Sequence, residues 1–373
     1  MNKIKKLGSV TLLIQVLSVI PFFIITFYFD KIIYGEFAKN ISIISILGIT
    51  SILKLDIYNI EKKKQFKFQQ ILKYLLPLWG LCLVVLYFND LVLTLGCFTL
   101  ISIGLYDYTA HNILQNNLIK RFNQFRITRI TIVLLLYNIF WFFELSVTLL
   151  LLIEFLSKIV PFLIFYPHHQ KREVFLKRDL FNILKITFSW FINNSVVLLI
   201  PFILSENVSL EELGWYYIFF KGINQIEILL ASTLNQYLIS LENNSLLKDY
   251  KKRLLTYSLI LFTAILIIGF ALSYFISYKF DYYTDLFIFA MIITFLSGFG
   301  SPFYIILNKL SLTSFQLKWD ICRFIIFITI VFLTHIYGFN YFLFGFPFLL
   351  LSTYVWLHLT IISKHKILIY KIG

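Results

Sequence analysis

Residues 248–279 read KDYKKRLLTYSLILFTAILIIGFALSYFISYK. Four basic residues, Lys248, Lys251, Lys252 and Arg253, stand at its head, an apolar run begins at Leu254, and a single lysine, Lys279, closes it. The hydrocarbon core of a bilayer is about 30 Å thick, so a helix rising 1.5 Å per residue needs about 20 apolar residues to cross it. This run meets that length. Its charge lies almost wholly on one flank, which gives it a direction.

Similar runs occupy 7–29, 37–60, 73–89, 91–109, 127–143, 145–166, 181–204, 212–237, 283–307, 318–337 and 340–362. Helices satisfy their own backbone polar groups in lipid, where water cannot. The pattern therefore predicts an all-α polytopic membrane protein with about twelve transmembrane helices. Lys3, Lys5 and Lys6 precede the first run, which is too long for a signal peptide and has no A-x-A site after it, so it is read as an uncleaved span. With the N-terminus in the cytoplasm, 26 of the 33 Lys and Arg fall on the cytoplasmic side, and only Lys31, Lys39 and Lys279 fall outside. The positive-inside rule then places both termini in the cytoplasm.

Composition agrees. Charged residues make up 14% of the chain and hydrophobic residues 59%, against about 25% charged for a soluble domain. The net charge of +14 lies in loops beside apolar spans, so it reads as topology and attraction to anionic membrane lipids, not as nucleic-acid binding. Cys82, Cys97 and Cys322 form no C-x-x-C pair. No G-x-G-x-x-G, Walker-type loop or H-E-x-x-H occurs. Neither an enzyme, a catalytic residue, a cofactor nor a metal site is expected.

The spans divide into two sixes: residues 1–166, a cytoplasmic linker at 167–180, and residues 181–373. Gly35-Glu36-Phe37 and Gly214-Trp215-Tyr216 open the second span of each half with the same Gly-x-aromatic pattern. Two similar bundles, with a transport site between repeats, follow as an expectation.

Ionisable groups inside spans are costly and mark candidate sites. Lys54 and Asp56 lie in the inner half of the second span; Lys54 either snorkels to the cytoplasmic surface or faces a cavity, with Asp56 tuning it. Lys221, Asn224 and Gln225 share one helical face in the eighth span, which either bonds to neighbouring helices or lines an aqueous cavity. Glu154 and Lys158, at i and i+4, read as a self-neutralising pair. Asp107 and Glu227 are further candidates, either binding a proton or cation or merely capping the interface. Asp320 and Arg323 read as an interfacial pair, with Arg323 able to reach the cavity. Gly298 and Gly300 beside Pro302 make the tenth span the one expected to break.

Three stretches resemble the polysaccharide flippases (Wzx-type, O-antigen transporters), a family of the multidrug, oligosaccharidyl-lipid and polysaccharide exporter superfamily. They are Tyr34-Gly35-Glu36-Phe37 through Leu53-Lys54-Leu55-Asp56, Arg121 to Arg129, and Leu213-Gly214-Trp215-Tyr216-Tyr217 through Lys221 to Asn235-Gln236-Tyr237. The resemblance implies two six-helix bundles in a bacterial inner membrane. It implies alternating-access transfer of an undecaprenyl-pyrophosphate-linked oligosaccharide to the outer leaflet, with a polysaccharide polymerase and a chain-length regulator as partners. Lys54 and Lys221 would hold the pyrophosphate where the family often places arginine, although lysine lacks the bidentate fork. Arg323 would join them, Trp215 would stack on sugars, and Asp56, Asp107, Glu154 or Glu227 would couple an ion. The alternatives are a multidrug or cation exporter of the same superfamily, and a membrane-embedded polymerase or transferase.

Overall fold

The computed structural model describes residues 30–48, 51–55, 58, 72, 75–76, 79–80, 83–84, 91–115, 118–140, 142–143, 146–166, 177–240, 256–267, 269–270, 277–309 and 313–372. These form α1 (Lys31–Gly48), α2 (Leu91–Gln115), α3 (Ile119–Phe140), α4 (Val147–Phe165), α5 (Lys177–Leu198), α6 (Ile200–Ser205), α7 (Leu210–Ser240), α8 (Ser277–Lys309), α9 (Thr313–Tyr337) and α10 (Asn340–Ile372). A shorter apolar helix covers Thr256–Ile267. Five helices among the described residues are long and apolar enough to cross a membrane: Val147–Phe165, Asp179–Ser205, Thr284–Tyr304, Phe315–Tyr337 and Asn340–Thr360. The protein is an all-α polytopic membrane protein. The first expected span, 7–29, lies outside the described residues.

Local chemistry starts these helices where the sequence allows it. Ser209 and Glu212 form a capping box at the head of α7: the Ser209 amide donates to Glu212 Oε2 (2.7 Å) and the Glu212 amide donates to Ser209 Oγ (3.3 Å). Ser146 caps α4 by accepting from the Leu149 amide (3.3 Å). Outward faces carry large exposed apolar side chains, such as Phe142, Phe181, Phe332, Phe344 and Phe348. In water these would be a liability; in hydrocarbon they are the wetted surface.

The chain forms two compact units, Met1–Tyr217 and Ile218–Gly373. In the first, α4 packs against α2 and α3, and α1 packs against α2, α4, α5 and α6. Its tightest crossing joins α1 to the head of α7. A Cβ on Gly35 would lie 2.0 Å from the Leu210 carbonyl oxygen, and one on Gly214 would lie 2.0 Å from the Lys31 carbonyl oxygen. The relation is reciprocal, each glycine meeting the carbonyl four residues before the other. The two Gly-x-aromatic triplets are thus in direct contact. Only residues without a side chain permit this approach, the small-residue packing of membrane helices.

The second expected span, 37–60, is not one helix. α1 ends at Gly48, and Leu53 (φ 50°) and Lys54 (φ 43°) take the left-handed conformation. Each such residue costs about 1–2 kcal/mol. The turn is paid for by burial: Ile52, Leu55 and Tyr58 join Leu105, Tyr108, Ile183 and Ile186 in one apolar cluster. Gly104 makes room for it, since a Cβ there would meet Ser51 Oγ at 2.0 Å. Trp79 Nε1 donates to the Ser51 carbonyl (2.7 Å), and Ser51 Oγ donates to that of Gly48 (2.7 Å). Irregular backbone at membrane depth survives only when its polar groups are re-satisfied in this way.

In the second unit, α10 packs on α8 and α9. The expected break at Pro302 does not occur; α8 runs from Ser277 to Lys309 with Pro302 inside it. Proline lacks the N–H that would bond the carbonyl four residues back, here Gly298. Tyr257 Oη donates to that carbonyl instead (3.0 Å). Tyr257→Phe is therefore expected to cost about 1–2 kcal/mol, and much less in a Pro302→Ala background, where the helix supplies its own donor. Thermal melting of the four proteins measures this coupling; equal losses in both backgrounds would refute it.

Candidate functional site

Buried polar groups gather at two places in the first unit. At the left-handed turn, Lys54 is buried, with Nζ 4.0 Å from Asp107 Oδ2 and 5.4 Å from the centre of the Trp190 ring. Snorkelling does not describe it, because the turn directs this lysine onto α2 and α5. Asp56 lies outside the described residues. Tyr58 Oη donates to Asp179 Oδ1, fixing the turn to the start of α5.

α3 adds to this place. Phe122, Phe125, Arg126 and Arg129 recur at helical spacing and so share a face. Phe125 is fully buried and stacks on Tyr106 of α2 (4.4 Å). Arg129 lies over the same ring (5.2 Å) and interacts electrostatically with Glu154 and Asp107. Arg126 lies over Phe122 (5.7 Å) and interacts electrostatically with Tyr106 and Arg129. Arg121 Nη2 donates to the Phe165 carbonyl at the end of α4 (3.3 Å), a favourable place for a cation at a helix C-terminus. The sequence reading assigned Arg126 and Arg129 to the basic cytoplasmic flank alone. Their i, i+3 spacing beside two phenylalanines was the available signal that they turn inward.

The second place is on α4, where Glu154 and Lys158 form the expected i, i+4 ion pair. Three buried tyrosines from three other helices, Tyr34, Tyr137 and Tyr217, interact electrostatically with Glu154. Tyr34 and Tyr217 are 5.5 Å apart, and Phe37 is 6.2 Å from Tyr217. Trp215 is buried, with Lys31 Nζ 5.2 Å above its ring.

In the second unit Gln316, Trp319, Asp320 and Arg323 occupy one face of α9, and all are buried. Tyr304 Oη donates to Asp320 Oδ1 (3.0 Å), and Arg323 Nη1 donates to Tyr304 Oη and Tyr354 Oη (3.2 Å each). The guanidinium lies over the rings of Trp319 (5.1 Å) and Tyr354 (5.7 Å). Gly300 makes space for Tyr354, whose phenol would be 2.2 Å from a Cβ there. Glu227 is half-buried, its Cγ 2.6 Å from where a Cβ on Gly298 would stand. Lys221 and Asn224 are half-buried, and the Gln225 side chain is outside the described residues. Among the described residues, no group of three or more His, Cys, Asp or Glu is placed to hold a metal ion.

No family model matches the chain, and no curated protein does. Solved structures do. One is described as the outward-facing conformation of a multidrug resistance MATE family transporter of the MOP superfamily; it is 13% identical, with a TM-score of 0.61, over 97% of this chain and 96% of that one. The inward-facing conformation of such a transporter is 12% identical with a TM-score of 0.56, over 98% and 96%. A MOP superfamily transporter from Pyrococcus furiosus, described as having a binding pocket of reverse polarity that suggests a different function, is 12% identical with a TM-score of 0.61, over 96% and 94%. The expected function as a flippase for a lipid-linked oligosaccharide in O-antigen synthesis is corrected here. Two of these structures are described as multidrug resistance transporters, in agreement with the alternative reading and not with the main one. At this level of identity the likeness establishes the fold, and this chain has the fold of the MATE-type transporters along nearly its whole length.

Proposed function

We propose that this protein is an exporter of small amphipathic compounds, of the multidrug type and the same superfamily. It would work by alternating access in a bacterial inner membrane, with both termini cytoplasmic and about twelve helices in two bundles. The observation that carries this reading is the end-to-end fold likeness to multidrug transporters. Supporting it are ionisable groups held within membrane-embedded helices, where burial is tolerated mainly for transport, and a discontinuous helix at Lys54, a feature of transporter sites. Glu154 and Glu227, one in each unit, are the carboxylates on which a coupling ion would act. Lys221 and Asn224 would line the path in the second unit.

Proteoliposomes loaded with amphipathic dyes of either charge test this reading under an imposed proton or sodium gradient. At least one dye should move several-fold faster than in protein-free vesicles, and Glu154→Gln should remove most of the gradient's effect. Rates equal to those of protein-free vesicles for every dye, under both gradients, would end it.

A further inference from the structure

The sign of charge around Lys54 points to a substrate class. We infer that Lys54, Arg126 and Arg129 form a binding site for the anionic group of an amphipathic compound, a carboxylate or phosphate, in the inner half of the first unit. This rests on the exporter reading and adds the charge of what is carried.

Four observations carry it. First, the cations meet two consecutive residues of α2: Lys54 reaches Asp107 and Arg129 lies on Tyr106, with Arg126 three residues before Arg129 on α3. Second, the carboxylates do not balance them. Four cations, Lys54, Arg126, Arg129 and Lys158, face three carboxylates: Asp107 is paired with Lys54 and also acts on Arg129, Glu154 is paired with Lys158 and also acts on Arg129, and Asp179 accepts from Tyr58. Among the described residues the cluster keeps excess positive charge in a low-dielectric setting, which an anion would relieve. Third, Arg126 and Arg129 stand three residues apart on one helix, where like charges repel. A membrane helix that needed only anchoring would send them out to the headgroups; Arg129 turns onto Tyr106 of α2, and Arg126 lies over Phe122 of its own helix. Fourth, hydrogen-bonding capacity remains. Arg129 Nε, a donor on α3, is buried without a hydrogen-bond partner.

The place is also reachable. The Asp107 side chain is 41% exposed although its helix packs on three others, and Tyr106, Arg126 and Arg129 are only half-buried. The planar guanidinium fork matches a carboxylate or phosphate. The bound anion would be either the carried solute or an anionic lipid headgroup, and the two can be separated.

The full chain in phosphatidylcholine nanodiscs is titrated with fluorescein and with rhodamine 123, which share a xanthene skeleton but differ in charge. Fluorescein is expected to bind at least tenfold tighter. Arg126→Gln and Arg129→Gln should each remove most of that preference and leave rhodamine 123 unchanged, while Arg126→Lys, melting like the wild type, should keep part of it. Nanodiscs containing phosphatidylglycerol distinguish the sources: weaker fluorescein binding identifies a lipid headgroup, and unchanged binding identifies a solute site. Equal binding of the two dyes, or a preference for rhodamine 123 that survives both glutamine variants, overturns the inference. If rhodamine 123 alone is transported, the exporter reading stands and this inference falls. If neither dye is bound or moved, both fall.

Discussion

Gly35→Val and Gly214→Val are each expected to remove most of the folded protein recovered from membranes. At both positions the added side chain would start 2.0 Å from a carbonyl oxygen of the partner helix. A flexible neighbour could turn away from such a clash, but a helix backbone cannot. The helices must move apart, and the surrounding contacts of Tyr34, Phe37 and Tyr217 separate with them. Overpacking typically costs about 1–3 kcal/mol, and here the obstacle is rigid on both sides, so the upper end or more is expected. Even alanine should lower the melting temperature clearly. Gly80, where a Cβ would meet nothing within 4 Å, is the matched control, and Gly80→Ala should melt like the wild type. Fluorescence-detected gel filtration after heating measures all of these. A Gly35→Val protein as stable as Gly80→Ala would show that the crossing is not a rigid contact.

Asp320→Leu is expected to cost about 3–5 kcal/mol, the usual effect of removing one partner from a buried charge pair. Arg323 would stay buried against Tyr304, Trp319 and Tyr354 without its countercharge. Arg323→Met should cost less than Asp320→Leu, because the aromatic surround suits an apolar side chain and Tyr304 still donates to Asp320. The double variant should cost well under the sum of the two, since it leaves no charge behind. Tyr304→Phe should cost about 1–2 kcal/mol by removing the hydroxyl that links them. Unfolding of the four proteins in a mixed-detergent titration gives the cycle. Additive losses for Asp320→Leu and Arg323→Met would mean that the two residues act independently.

These expectations differ in how much of them the sequence held. The Glu154–Lys158 pair was readable, because i, i+4 neighbours on a helix meet whatever surrounds them. The capping box at Ser209 and Glu212 was written locally in the same way. Arg323 was visible as a charge inside a span, but its cage was not: Tyr304 and Tyr354 come from two other helices, and nothing in either segment marks them as its partners. The flippase reading failed for a related reason. Short motifs around Lys54 and Lys221 reported a shared fold, and cargo depends on the charge and shape of a site assembled from distant segments.

Sequence by itself determined that this chain is a bundle of membrane helices, because apolar run length and one-sided basic loops act on each segment separately. It also determined which charged residues would be costly to bury. Tertiary structure alone decided that Gly35 and Gly214 meet, because neither sequence records which backbones touch. It alone turned Leu53 and Lys54 left-handed, against their local preference, because the burial of Ile52, Leu55 and Tyr58 outweighs the strain. And it alone brought Arg129 inward onto Tyr106, since a basic residue near a helix end obeys its neighbours in space before its neighbours in the chain.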